Sequence, residues 1–404
     1  MTEELAILAV FIFLYSLIAG RIDRSWLSGP IIFVTAGFIR GPMVLGWFSA
    51  GETRSDLRTL ADLTLAVVLF SDAANSNLST LKRGFGIPTR MLLLGLPGAI
   101  VLGSVLAMVM FDVLTVFEAA MLGTMLAATD AALGKAVVSN TAVPARLREG
   151  LNVESGLNDG ICVPILFVFI ALELSAETSV GEGLIMTLLA EELGIGLLVG
   201  LGTAAIGTWL LGICAQRGWV TDIWIQVTIV ALAISCFALA QSLHGSGYIA
   251  AFTGGMLFGY LAGKKKHELL LSPEAIGETL ALLTWLLFGY AVVGQIFGLF
   301  TWPVFVYALL SLTVVRMLPI FLSLVGSGES VQSRLFLGWF GPRGLASIVF
   351  AIIVLDENLP GAEFIALVVT CTVITSLILH GVTANPLAKW MARQGIDSKY
   401  SGSR

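Results

Sequence analysis

Apolar runs of about twenty residues recur along the whole chain, and short connections between them hold most of the charge. A helix rises about 1.5 Å per residue, so each run is long enough to cross a hydrocarbon layer roughly 30 Å thick. Taken in order, the runs predict helices over 4–20, 28–46, 58–76, 90–111, 116–143, 151–173, 193–214, 221–242, 247–263, 277–299, 302–324, 333–355 and 362–385, about thirteen in all. The expected fold class is an all-α integral membrane protein, because lipid offers no partner for exposed backbone groups.

Composition narrows this further. With 57% hydrophobic and 12% charged residues and a mean hydropathy of +0.94, the polar residues are too few to cover a water-soluble globule. The first run follows Glu3 and Glu4 rather than a basic segment, so it reads as a retained helix and not a cleaved leader. Cys162, Cys214, Cys236 and Cys371 lie in apolar segments without metal or CxxC spacing and read as packing residues.

The placement of charge predicts orientation. Sixteen of the 22 Lys and Arg fall in connections after odd-numbered helices and only Arg54 and Arg58 after even-numbered ones, while Arg40, Lys135, Arg316 and Arg343 lie within apolar segments. The positive-inside rule then puts the N-terminus outside and the C-terminus in the cytoplasm. The expected setting is a plasma membrane, specifically a bacterial inner membrane, with lipid as a partner and no nucleic acid. The tail after the last helix is too short for a cytosolic domain.

The chain also matches itself. Gly29, Thr35, Gly37 and Gly41 align with Gly247, Thr253, Gly255 and Gly259, and Leu60, Ala61, Leu63 and Thr64 with Leu280, Ala281, Leu283 and Thr284. The shift is seven helices, and an odd shift means inverted repeats, an architecture of secondary transporters that builds its site on interrupted helices. The fifth and twelfth helices are repeat partners, and both carry breakers near mid-membrane: Thr129-Asp130 with Gly134 and Lys135, and Gly341-Pro342-Arg343-Gly344. Their half-helix ends need compensation, Asp130 at the positive ends and Lys135 or Arg343 at the negative ones.

Ionisable residues in lipid are costly and therefore informative. The sixth helix holds Glu154, Ser155, Asn158 and Asp159. Ser155 and Asp159 share one face, and Glu154 and Asn158 an adjacent one. Asp159 lies about 12 Å past Leu151, near the midplane. A carboxylate beside a hydroxyl at that depth is a hard-oxygen cation site. Asp72 on the third helix is a second candidate acid, and Glu154 with Arg343 forms a candidate buried ion pair holding two helices together. Arg316, just before Pro319, reads as structural.

These residues, with the Glu154-Ser155-Gly156-Leu157-Asn158-Asp159-Gly160 stretch as the most specific part and His244-Gly245-Ser246-Gly247 beside it, resemble the NhaP-type sodium/proton antiporters of the monovalent cation:proton antiporter family. The resemblance runs over essentially all thirteen helices. It implies a homodimer, with a dimer domain from residues 1–86 and 177–300, a six-helix core transport domain from 87–176 and 301–388, and a tail over 389–404. It implies a cation held by Asp159, Ser155 and the backbone at Thr129, with Asp72 close by and Asn158 bracing a Glu154–Arg343 pair. The chain departs from the family pattern in having Ala131 where proline is usual and Asp72 where glutamate is more common.

One carboxylate that takes either a cation or a proton, never both, gives exchange without further machinery. The expected function is secondary antiport of Na⁺ or Li⁺ for H⁺ in pH homeostasis and sodium transport, with K⁺/H⁺ antiport as the alternative. Because Asn158 and not a second acid precedes Asp159, exchange is expected to be electroneutral. No cofactor and no enzymatic activity are expected: the chain has no GxGD motif, and the Ser246 segment lacks the first glycine of GxSG, so Ser246 reads as a helix start.

Overall fold

The computed structural model describes residues 2–22, 27–40, 53–76, 86–130, 133, 135–138, 140–141, 143–177 and 182–401. All regular structure among the described residues is helical. In chain order the helices are α1 (Thr2–Ile22), α2 (Gly29–Arg40), α3 (Thr53–Asn75), α4 (Ile87–Met110), α5 (Val116–Met125), α6 (Ala145–Glu177) and α7 (Glu182–Gln216). There follow α8 (Asp222–Ser242), α9 (Gly247–Ala262), α10 (Leu271–Val293), α11 (Trp302–Ser323), α12 (Val331–Trp339), α13 (Leu345–Asp356) and α14 (Ala362–Ser401). Short helices, Lys135–Val138 and Lys266–Leu269, precede α6 and α10. Among the described residues, seven helices can cross a membrane by length and composition, and five further apolar helices are shorter.

Local chemistry sets several ends. Thr115 and Glu118 form a reciprocal capping box at the start of α5, with Glu118 N–H donating to Thr115 Oγ1 at 3.1 Å and Thr115 N–H to Glu118 Oε2 at 3.0 Å. Ser246 caps α9, so the segment read as a helix start is one. Several edges differ from the sequence expectation: the fifth helix stops at Met125 rather than 143 and the seventh begins at Glu182 rather than 193, among others. The sixth helix begins at Ala145, not 151, because the Pro144 carbonyl accepts the amides of Leu147 and Arg148. The last runs through Pro386 to Ser401 rather than stopping at 385.

The helices pack as two groups, one of α2, α3 and α7 to α10, the other of α4 to α6 and α11 to α14. Within the first group the inverted repeat is visible in contact. Packing of α9 on α3 is the counterpart of packing of α2 on α10, and each relies on an equivalent glycine. A Cβ on Gly255 would sit 2.3 Å from Phe70 O, and one on Gly37 would sit 2.0 Å from Leu286 O. Thr64 and Thr284, equated by the repeat, touch each other through their hydroxyls at 3.0 Å and are fully buried. Equivalent residues can meet only beside the axis that relates them, so the pseudo-two-fold axis passes between α3 and α10.

Away from these seams the surface is apolar. Phe13 and Leu17 of α1, Val101 and Val109 of α4, and Leu198 and Ile206 of α7 are exposed, as befits a lipid-facing belt. Trp219, Trp224 and Trp302 are exposed at helix ends, where an indole suits a membrane interface.

The glycine seams give a stability prediction. Gly255→Val should force α9 from α3 and cost about 1–3 kcal/mol, the usual range for overpacking, seen as a lowered melting temperature in detergent. An unchanged melting temperature would show that the close approach is not needed.

Candidate functional site

The site begins where two helices stop being helices. α5 ends at Met125, and α12 ends at Trp339, with the non-helical segment Phe340–Gly344 separating it from α13. Pro342 lacks an amide and cannot continue the ladder of α12, yet its carbonyl is used: Asp130 N–H donates to Pro342 O at 2.9 Å, tying one break to the other. Asp130 Oδ2 accepts from Leu345 N–H at 3.0 Å, placing an anion at the positive end of α13. Arg343 Nη1 donates to the carbonyls of Ala127 and Ala128 at 3.2 and 3.3 Å, placing a cation just beyond the negative end of α5. Gly344 is required here, since a Cβ would lie 2.0 Å from Asp130 Oδ2.

α6 passes beside this crossing and brings its polar turns to it. Ser155 Oγ donates to Thr129 O at 2.7 Å. Thr129 Oγ1 lies 3.3 Å from Ser155 Oγ and 3.5 Å from Glu154 Oε2. Asn158 Nδ2 donates to Thr129 Oγ1 and, at 3.4 Å, to Glu154 Oε1. Asp159, near the middle of α6 and 7% exposed, has a buried oxygen, Oδ1, with no hydrogen-bond partner among the described residues. A carboxylate oxygen left open, a hydroxyl and a carbonyl are the donors a hard monovalent cation takes.

The expected Glu154–Arg343 pair does not form, and this corrects the sequence reading. Glu154 is held in a two-pronged ion pair by Arg316 of α11, Nη1 to Oε1 at 2.7 Å and Nη2 to Oε2 at 3.0 Å, with both side chains 1% exposed. The reason lies in what each arginine can reach. Arg343 sits in the break and is drawn to the carbonyls at the end of α5, whereas Arg316 follows a wide turn in α11, Ser311–Val315, and projects into the core against α6. The signal for Arg316 was present in the sequence, as a basic residue in an apolar segment that no acid had been assigned to.

Asp159 opens onto a cavity of about 780 Å³ that Asp72 and Asp130 also line. Gly156 lets α3 approach α6 here; a Cβ on it would lie 2.9 Å from Ser76 Oγ. Two acids on α10 that the sequence reading passed over, Glu274 and Glu278, line the same cavity, with Glu274 accepting from Asn75 Nδ2. Lys266 Nζ closes the end of α3 by donating to the carbonyls of Ala74, Asn75 and Ser76 at 3.3, 2.7 and 3.1 Å. The cavity wall runs from Asp159 to the exposed His267, so the acids face a route to one side of the protein. Lys135 begins the short helix Lys135–Val138, while its side chain, like Ala131, lies outside the described residues. Among the described residues no group of three His, Cys, Asp or Glu is placed to hold a resident metal.

Comparison with known proteins gives a consistent picture. The family model for the sodium/hydrogen exchanger, transmembrane, matches residues 7–390. The chain is similar to the K(+)/H(+) antiporter NhaP2 of Shewanella sp. (strain ANA-3), 22% identical over 385 residues that cover 95% of this chain and 66% of that protein. It is similar to the Na(+)/H(+) antiporter 2 of Zygosaccharomyces rouxii, 24% identical over 365 residues, 85% of this chain and 45% of that one. The chain thus spans just under two thirds of the first relative's length and less than half of the second's. Its fold matches that of the sodium proton antiporter MjNhaP1 from Methanocaldococcus jannaschii at pH 8, with a TM-score of 0.77 and 21% identity over 97% of this chain and 99% of that one.

The Glu154–Arg316 pair predicts a particular pattern of stability. Glu154→Gln or Arg316→Met alone leaves an unpaired buried charge and should cost about 3–5 kcal/mol, whereas the double variant should cost clearly less than the two combined. Thermal unfolding in detergent reads this directly. Additive losses would mean that the two charges do not depend on each other.

Proposed function

Since the chain belongs to the transmembrane sodium/hydrogen exchanger family, we propose that this multi-pass membrane protein is a secondary antiporter exchanging Na⁺ or Li⁺ for H⁺ by alternating access. The observation that carries this reading is the open oxygen of Asp159, a carboxylate at the wall of a cavity, and one turn earlier on α6 Ser155 meets the Thr129 carbonyl. A cation arriving there replaces a proton on Asp159 and takes the hydroxyl and carbonyl as further ligands. A proton arriving from the other side displaces it. Asp72 on the facing wall adds negative charge that draws cations in.

Charge accounting supports one-for-one, electroneutral exchange. The residue before Asp159 is Asn158, whose amide is committed to Thr129 and Glu154 and carries no charge. Glu154 is already neutralised by Arg316. Asp130, Asn158, Glu154, Arg343 and Lys135 support the site rather than exchange ions.

The two helix groups serve as two bodies. Residues 1–86 and 177–300 form a dimer domain through which two copies associate, and 87–176 with 301–388 form a core that carries Asp159 from one face to the other, followed by the tail over 389–404. Lys266 and the end of α3 lie on the lysine-rich side, so the cavity faces the cytoplasm of a bacterial inner membrane, with the N-terminus outside. At the other end of α3, about 20 Å from Asp72, Arg58 joins the two groups by pairing with Asp356 of α13, and it also meets Asp62 at 3.5 Å. That bridge keeps the outer side closed. K⁺ is the second reading for the cation, favoured by the K(+)/H(+) antiporter named among the relatives, because three oxygen donors do not fix ion size.

Two tests follow. In proteoliposomes, wild type should couple inward Na⁺, Li⁺ or K⁺ gradients to proton efflux at a rate independent of imposed membrane potential, and Asp159→Asn should fall to the level of empty vesicles. Retained exchange in Asp159→Asn would refute the site. Breaking the outer bridge with Arg58→Ala should lower labelling of a reporter cysteine in the cytoplasmic cavity, such as Ala384→Cys, by about two- to fivefold, in keeping with a part-exposed ion pair. Unchanged labelling would mean that the bridge does not bias access.

A further inference from the structure

A single pair of side chains spans the interruption between α12 and α13. In an unbroken helix the amide of Arg343 would donate to the carbonyl of Trp339, four residues earlier. Here that bond is missing, and Arg343 N–H instead donates to Ser376 Oγ at 2.7 Å. Ser376 Oγ lies 3.1 Å from His380 Nδ1, and His380 Nε2 lies 2.9 Å from Trp339 O. Both residues stand on α14, one turn apart, and both are buried.

Two carbonyls face the His380 ring: Nε2 lies 2.9 Å from Trp339 O, which also accepts from Gly341 N–H at 2.8 Å, and Nδ1 lies 3.0 Å from Ser376 O. A carbonyl only accepts, so either contact is a hydrogen bond when the ring nitrogen facing it carries the hydrogen. Ser376 Oγ accepts from Arg343 N–H and touches Nδ1. The result is a relay of contacts, Arg343 N–H to Ser376 Oγ to the His380 ring and on to Trp339 O, set into one opened helical hydrogen bond. The His380 ring also lies over the Trp339 indole, 5.2 Å between centroids, and Trp339 Nε1 donates to Thr383 Oγ1 at 2.9 Å, so α14 grips both lips of the gap.

We propose that Ser376 and His380 are positioning residues that set the width of this gap and, through it, the cation site. The path is short. The gap holds the Pro342 carbonyl and the Arg343 guanidinium, which in turn bind Asp130 N–H and the carbonyls of Ala127 and Ala128, the residues on either side of Thr129 and next along the chain. Relaxing the gap moves the Thr129 carbonyl relative to Asp159. This inference rests on the antiport reading only in that Thr129 O is taken as a cation ligand.

The test compares Ser376→Ala, His380→Leu, the double variant and His380→Gln, whose side-chain amide offers both a donor and an acceptor. Cation affinity is read twice, as the KM for Na⁺, Li⁺ and K⁺ in coupled exchange and as the concentration of each chloride that gives half-maximal thermal stabilisation in detergent. Each single variant should weaken affinity by about two- to tenfold, the range expected for one hydrogen bond, with kcat per folded protein little changed. The double should be no worse than the worse single, because both break one relay, and His380→Gln should stay close to wild type. Unchanged affinity in the folded single variants, or independent losses that multiply in the double, would overturn the proposal. If His380→Leu does not fold, Ser376→Ala and His380→Gln decide between the same outcomes. A wild type that binds cations without exchanging them would sink the antiport reading and leave the affinity test standing; a wild type that binds none of the three would sink both.

Discussion

Interrupted backbone inside a membrane is tolerated only where protein supplies every partner that water would have given, and the rest of this structure depends on how that demand is met at one crossing. The end of α5 is answered by Arg343, the start of α13 by Asp130, the end of α12 by His380, and the two breaks are tied together by Asp130 N–H and Pro342 O. A continuous α5 would have spent the Thr129 carbonyl on its own ladder. Because the helix is interrupted, that carbonyl is free to accept from Ser155, one turn before Asp159 on α6.

α6 contributes an acid and keeps it in place. Its two polar faces do different work. Glu154 and Asn158 are bound into the scaffold through Arg316 and Thr129, while Ser155 is turned to the crossing and Asp159 to the cavity. A buried ion pair such as Glu154–Arg316 adds little net stability compared with apolar packing, but it strongly penalises any arrangement that separates its members. That makes it suited to holding α6 and α11 together as one body.

Much of this was legible in the residues. The apolar runs marked the helices, the Gly-Pro-Arg-Gly and Thr-Asp stretches marked the breaks, and the weak self-match foretold Thr64 and Thr284, which meet beside the repeat axis. The partner of Glu154 was not legible, because two arginines lie at similar depth and helical periodicity does not say which one turns toward α6. Glu274 and Glu278 were missed because their segment reads as a polar helix start, and only packing of α10 against α3 brings them to the cavity. His380 gave no signal at all: a lone histidine in an apolar run has the same pattern whether it fills space or meets a carbonyl 41 residues away in sequence, and the difference appears only once Trp339 is placed beside it.

The central claim is that a cation and a proton compete for the same carboxylate. It is tested most directly by adding NaCl, LiCl or KCl to purified protein in weakly buffered detergent solution while following pH and bound cation together. The account predicts that each cation bound releases a proton, and that lowering the starting pH weakens cation binding in proportion. Binding that releases no protons, at any pH where the protein is folded, would contradict it.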